Sequence, residues 1–223
     1  MFHVKQATLL AIICMQFIFG FSQQGVYTYK PVVVNLELPD DTALLNGAER
    51  QAKLFGLSAF EQNFIYNLNY CRTHPLVFMK KAVVPYLDAY PQWRSKYGES
   101  LVRDLETLSN LNTLLAESRL FQIARAHAAD LAKHNVMSHA SSDGTTTQQR
   151  FQKIGINCGT ECINMGNYPN ALEVLLSLLI DYGVANFGHR KSLLSPTVKM
   201  IGIGAVRNAA GDVQYTVADL SCD

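Results

Sequence analysis

Apolar residues return at helical spacing in several stretches of this chain and alternate in others, and that change of period marks out its elements. Ser58 and Glu61 have the spacing of a capping box, and Phe60, Phe64, Leu68 and Cys71 then fall on one face of a helix. Pro75 either stops that helix or opens the next one, which the pattern carries over residues 76–90 until Pro91. Residues 92–100, with the single tryptophan Trp93, read as a loop pinned by an aromatic side chain. The most regular period lies in residues 120–134, where Leu120, Ile123, Ala124, His127, Ala128 and Leu131 share a face that should lie across the core. A turn-forming cluster at 141–145 precedes a short helix over 148–154. A strand is expected at Glu161, Cys162 and Ile163. A leucine-rich helix follows over 170–181, capped by Asn170 and ended by Gly183. Residues 199–206 and 213–220 are β-rich and joined by a short connector holding Asn208, Gly211 and Asp212, so an antiparallel hairpin is predicted. Helices flanking a small antiparallel sheet place the chain in the α+β class.

The amino-terminal part reads differently. His3 and Lys5 precede an apolar run over 9–21 that is shorter than the ~20 residues a membrane-spanning helix needs, and the run ends in Gly20, Phe21 and Ser22. Residues 1–22 are therefore expected to be a cleaved secretory signal peptide, leaving no transmembrane segment. Ile13 is too bulky to precede a lipid-attachment cysteine at Cys14. Residues 23–57 read as an extension or spacer, with an edge strand at 32–38 between Pro31 and Pro39. The folded domain is expected over 58–223, a length that suits one domain.

Composition removes one class of partner. Acidic and basic residues nearly cancel, at a formal net charge of +1, and no basic block occurs, so nucleic-acid binding is not expected. Once the signal is gone, Cys71, Cys158, Cys162 and Cys222 remain. An even number in an exported chain suggests two disulfides, with all three connectivities open.

Two clusters hold candidate chemistry. His127, Asp130 and His134 share one side of the 120–134 helix, but the alanines and leucines around His127 suit a hydrogen-bonded core histidine better than a metal ligand. The second cluster emerges from three motifs. They are Asn69-Tyr70-Cys71-Arg72-Thr73-His74-Pro75; Ala126-His127-Ala128-Ala129-Asp130 with Met137-Ser138-His139; and Gly188-His189-Arg190 with Leu193-Leu194-Ser195-Pro196 and Ile201-Gly202-Ile203-Gly204. In this order they resemble the bacterial members of the CAP superfamily, the cysteine-rich secretory, antigen 5 and pathogenesis-related type 1 proteins, also called SCP-like. The resemblance implies a three-layer α-β-α sandwich with a central antiparallel sheet. It also implies a cleft lined by His139, Glu161, Asp181 and His189. Thr160-Glu161-Cys162-Ile163 stands where the family usually has Gly-Glu-Asn, and Asp181 stands in place of a longer Glu.

Two imidazoles suit a borderline ion such as Zn²⁺, so His139 and His189 are the expected metal ligands. Glu161 or Asp181 would complete the shell directly, through water, or by orienting a ring. No nucleophile–base–orienter set is visible, since adjacent residues such as Ser138 and His139 seldom point at one another. The expectation is a secreted protein, extracellular or periplasmic, whose cleft binds a divalent metal and a small-molecule or lipid ligand. The alternatives are a metal-assisted extracellular hydrolase, and an interaction module for an extracellular protein with a vestigial cleft.

Overall fold

The computed structural model of the protein describes Val34 and residues 36–223; the expected signal peptide and part of the predicted 32–38 strand lie outside the described residues. Where the strand expectation can be followed, Val34, Leu36 and Leu38 are half-buried against the core in non-strand conformation.

The spacer expectation gives way to a helix. Asp41 accepts a hydrogen bond from the Leu44 amide (3.0 Å) and starts α1 (Thr42–Phe55), which Gly56 closes at φ 59° in the left-handed region. Next comes α2 (Ala59–Thr73), opened by the predicted Ser58–Glu61 capping box; Phe64, Leu68 and Cys71 are fully buried and Phe60 half-buried. Pro75 takes the first position of α3 (Pro75–Phe78), so it opens a helix after all. A π-helical turn (Met79–Val83) leads to α4 (Val84–Ala89). The loop expected at 92–100 is instead wound into a 3₁₀ turn (Pro91–Trp93) and a second π-helical turn (Arg94–Gly98), broken by non-helical Ser95. Trp93 does anchor it, edge-on to Tyr182 with ring centroids 5.2 Å apart. An unanticipated α5 (Glu99–Thr107) and a two-residue β1 (Leu115–Ala116) complete this half.

The other half follows the sequence pattern closely in α6 (Ser118–His134), α7 (Thr147–Lys153), β2 (Gly159–Gly166), α8 (Ala171–Ile180), β3 (Met200–Arg207) and β4 (Gln214–Ser221), and adds an unanticipated short α9 (Gly188–Leu193) between α8 and β3. Asn170 caps α8 as expected, accepting from the Glu173 amide at 2.9 Å. The left-handed residue that ends this helix is Asp181 (φ 59°), two positions before the expected Gly183. Leu175, Leu176, Leu178 and Leu179 are buried, each stabilising the fold by roughly 1.5–3 kcal/mol relative to exposure.

The strands pair in the order β1-β3-β4-β2, antiparallel between β3 and β4 and between β4 and β2; the short β1 adds a parallel rung beside β3. Alternation along each strand divides the sheet into two faces. Ile163, Val217 and Tyr215 pack with Ala124, Ala128 and Leu131 of α6. Cys162, Ala218, Ile201 and Ile203 turn the other way, toward the core shared with α2 and α8. Helices therefore cover both faces, giving the layered α+β arrangement. On β3, Gly202 and Gly204 lie so close to α6 that a Cβ at either would overlap the backbone at Leu120–Phe121 or Ala124–Arg125. That approach sets α6 directly above Gly202, the β3 member of the register row Glu161–Asp219–Gly202.

The cysteine expectation needs correction. Only Cys158 and Cys222 are bridged among the described residues (Cα–Cα 5.5 Å), while Cys71 and Cys162 are free and fully buried. Each free thiol fills core space as a small hydrophobe, and burial pushes both well above the ordinary thiol pKa. The bridge joins residues 64 apart and ties the end of β4 to the entry of β2. In the chain-entropy picture a closure of that length contributes about 4 kcal/mol. Replacing Cys158 and Cys222 together by alanine is expected to lower the unfolding free energy by about 2–4 kcal/mol in a urea titration. In the same samples Cys71 and Cys162 should react with a thiol reagent only after unfolding.

Candidate functional site

Glu161 is the pivot of the first half of the site. It sits on β2, one of the two outer strands, with its side chain 1% exposed on the face toward α6. A carboxylate there loses its hydration and needs donors from the protein. His139 Nδ1–H donates to Oε1 at 2.8 Å, Thr147 Oγ1–H donates to the same oxygen at 2.8 Å, and Arg150 Nη2 donates to Oε2 at 2.6 Å. Burial alone would raise the carboxyl pKa, yet the His139 bond and the charge of Arg150 outweigh it, with help from His127 and Thr147, and hold Glu161 below the usual range.

Arg150 does more than neutralise Glu161. Its guanidinium also donates to the Ser141 hydroxyl (2.9 Å) and to the carbonyls of Thr145 (3.1 Å) and His139 (3.0 Å), so α7 clamps the 139–147 loop against the strand. This arginine carries no motif that sequence reasoning singled out, although its place in the α7 pattern is regular.

His127 behaves as the core histidine the sequence suggested. It is 1% exposed, its Nε2–H donates to the Ser138 carbonyl at 3.0 Å, and burial lowers its pKa against the opposing pull of Glu161. Its Nδ1 is then free to accept from the Ser141 hydroxyl at 3.3 Å, a serine–histidine contact not anticipated from sequence. Arg150 donating to the same hydroxyl oxygen withdraws the electron density a nucleophile requires, so the contact reads as part of the clamp. His134 is turned away from His127, with Nδ1 toward the Asp130 carbonyl (2.9 Å).

The second half of the site is built from Asp181 and His189. Asp181, 1% exposed at its side chain, holds the left-handed position that ends α8, which Asp tolerates better than most residues. From there Oδ1 accepts His189 Nδ1–H at 2.8 Å, and Oδ2 accepts the His189 and Arg190 amides at 3.0 and 3.4 Å. The carboxylate thus caps the start of α9 while orienting a ring on it. From this left-handed turn the short aspartate side chain reaches both the ring and the amides of α9. Arg190, buried at 2%, holds that hinge: its guanidinium donates to the Leu179 and Ile180 carbonyls ending α8 (2.6 and 3.0 Å) and to Asp104 of α5 (2.8 Å).

The four residues expected to line one cleft therefore form two carboxylate–imidazole pairs flanking β2. Cys162, next to Glu161 but on the opposite face, has its Sγ 3.8 Å from the His189 carbonyl, and Thr160 Oγ1 lies 2.9 Å from Ser192 Oγ on α9. No hydrogen bond or ion pair joins one pair to the other among the described residues. In both pairs Nδ1 is engaged and Nε2 has no partner among the described residues, the arrangement in which a carboxylate fixes the tautomer and leaves Nε2 as base or ligand. His139 is 60% exposed at its side chain and His189 18%. His139 and Glu161 border a cavity of about 490 Å³ whose floor includes Phe151 and Ile156 and whose rim carries Gln148 and Gln152.

A metal fits this chemistry to a limited extent. Two Nε2 atoms are available, but no group of three or more His, Cys, Asp and Glu is placed to hold an ion among the described residues. Both carboxylates already face an imidazole, which gives them the orienting role and leaves any remaining ligands to water or substrate.

Glu161→Gln removes the negative charge opposite a guanidinium that is only 9% exposed, so it should cost about 3–5 kcal/mol in equilibrium unfolding. The pH dependence has a definite sign. Because its folded pKa is lowered, Glu161 contributes stability above the ordinary glutamate range that is lost as pH falls through the folded value; the variant should lose that part of the acid slope.

Residues 67–220 match the sequence model of CAP, the cysteine-rich secretory protein family. No curated relative matches the chain. Solved structures with some likeness include an outer surface protein of Borrelia burgdorferi, at 19% identity and TM-score 0.43, covering 60% of this chain and 93% of that one. An extracellular protein containing a SCP domain from Bacillus anthracis is 18% identical, with TM-score 0.41, over 60% of this chain and 40% of that one. A cysteine-rich secretory protein of Staphylococcus aureus is 20% identical, with TM-score 0.36, over 59% and 38%. The family match spans well over half of the sequence and includes both carboxylate–imidazole pairs: this chain belongs to the cysteine-rich secretory protein (CAP) family.

Proposed function

We propose that this protein is an exported CAP-domain binding module, whose cavity beside His139 takes a small or lipidic ligand and whose His139 and His189 Nε2 atoms take up a divalent ion such as Zn²⁺. The observation that carries the reading is the pairing of each ring with a buried carboxylate. An imidazole held at Nδ1 presents Nε2 in a fixed direction with its lone pair outward, which is what ligand or metal binding requires. The cavity volume falls within the range typical of small-molecule sites, and its lining combines Phe151 and Ile156 with polar Thr147, Gln148, Gln152 and Asn157. Export is supported by the family and by the leader-like run at 9–21, and no helix among the described residues is long and apolar enough to cross a membrane.

A bound ion would supply Lewis acidity, making a coordinated water acidic enough to act as a nucleophile near neutral pH. The chain itself supplies the rest. Glu161 and Asp181 keep each ring in one tautomer, and Arg150 holds the 139–147 loop so that His139 stays at the cavity edge.

Calorimetric titration of the mature chain with Zn²⁺ should give a saturable heat that is lost in His139→Ala and reduced or lost in His189→Ala. Its affinity should fall as acidification puts protons on the competing nitrogens. If both variants bind as the parent does, the metal part of the reading is wrong. Mass spectrometry of organic extracts of the purified protein tests the other part: a recovered lipid supports carriage. A clean extract together with turnover of an ester or peptide panel would replace the binding module by a hydrolase.

A further inference from the structure

Among the described residues, Asp219 is a buried acid whose two carboxyl oxygens ordinary pairing does not account for. It is fully buried on β4, and no donor among the described residues reaches either of its carboxyl oxygens. Buried polar atoms are rarely left that way, so the exception calls for a physical reason.

Its position supplies one. Asp219 stands directly opposite Glu161 in the β2–β4 register, so both side chains leave the same face of the sheet. On the third strand of that row the partner is Gly202, which contributes no side chain, and α6 closes over it. The charged and titratable groups around the pair are His139, whose Nδ1 contacts Glu161, Arg150 of α7, His127 of α6 and, from the other face of β2, the buried thiol of Cys162. Arg150 and His127 are turned to Glu161, leaving Asp219 facing another carboxylate. Two carboxylates this close, both buried from bulk solvent, are far more stable with one proton between them than with none.

An ionised carboxylate has about four lone-pair positions for hydrogen bonds. On Glu161 three are taken, by His139, Thr147 and Arg150, which leaves room for one more donor. We propose that Asp219 is a positioning residue: it carries a proton in the folded protein and donates it to the remaining position on Glu161, completing the cradle that aims Glu161 at His139. The proton sits on Asp219 because Arg150, His139 and Thr147 all favour charge on Glu161. Burial and the negative charge of Glu161 likewise drive the Asp219 carboxyl well above its ordinary value. The pairing stands whether or not the neighbouring cavity binds a ligand or a metal.

Infrared spectroscopy of the mature chain near neutral pH tests this. A protonated-carboxyl carbonyl band is expected in the parent and should vanish in Asp219→Asn, whose amide keeps the shape and a hydrogen-bond donor. By proton NMR the hydrogen-bonded His139 Nδ1–H resonance should persist in Asp219→Asn and be lost or broadened in Asp219→Ala. Should Asp219→Ala fail to fold, the unfolding midpoints of parent and Asp219→Asn still decide. With a raised folded pKa, Asp219 contributes stability that is complete below the unfolded carboxyl range and lost as pH rises through the folded value. The midpoint difference should therefore move in favour of Asp219→Asn as pH rises from about 4 to about 9. No carbonyl band in the parent, together with a midpoint difference that stays constant over that range, would mean an ionised Asp219 satisfied by buried water, and would overturn the proposal.

Discussion

A negative charge placed inside a sheet sets the terms for half of this molecule. An unpartnered buried carboxylate costs several kcal/mol of lost hydration, so Glu161 is tolerated only because positive charge and donors converge on it. Arg150 brings that charge from α7, and in doing so it has donors left over for the carbonyls of the preceding loop. The loop holding His139 therefore takes its shape from the needs of Glu161. Close approach of α6 at Gly202 and Gly204 helps bury the site, which makes the matching of donors to acceptors compulsory.

The same logic recurs at Asp181 in a different setting. There the neutralising partners are a helix start and a ring: two backbone amides of α9 and the Nδ1–H of His189. Negative charge at a helix start is favourable in its own right, although α9 is short. Arg190 then does for the α8–α9 hinge what Arg150 does for the 139–147 loop, satisfying carbonyls that the end of a helix leaves open. Each imidazole of the site is thus held by an acid, and each neighbouring turn by a buried arginine.

Much of the framework is visible in the residue pattern because its signals are local. The Ser58–Glu61 box, the apolar face of α6, the Asn170 cap and the β3–β4 hairpin all rest on neighbours within a few positions. What the pattern hides depends on distant partners or on competing signals. Residues 23–57 read as an extension or spacer around a proline-bracketed edge strand, although Asp41 and Gly56 are sound helix boundaries and Leu44 and Ala48 repeat at helical spacing. The turns at 79–83 and 94–98 are π-helical, a geometry with no sequence period of its own. Parity of cysteines suggested two bridges, but Cys71 and Cys162 are spent as core residues. Among the site residues the two histidines and Arg190 lie in recognisable motifs, whereas Arg150 and Asp219 read as ordinary charged positions. Their burial is decided by what lies across the sheet or at the far end of a helix.

The central claim is that buried acids fix both rings by Nδ1 and leave Nε2 outward. Long-range ¹H–¹⁵N correlation NMR of the histidine side chains, recorded where the rings are neutral, reads it directly. His139 and His189 should both appear as the Nδ1–H tautomer, with Nε2 unprotonated. A dominant Nε2–H tautomer at either ring would contradict the account at its foundation.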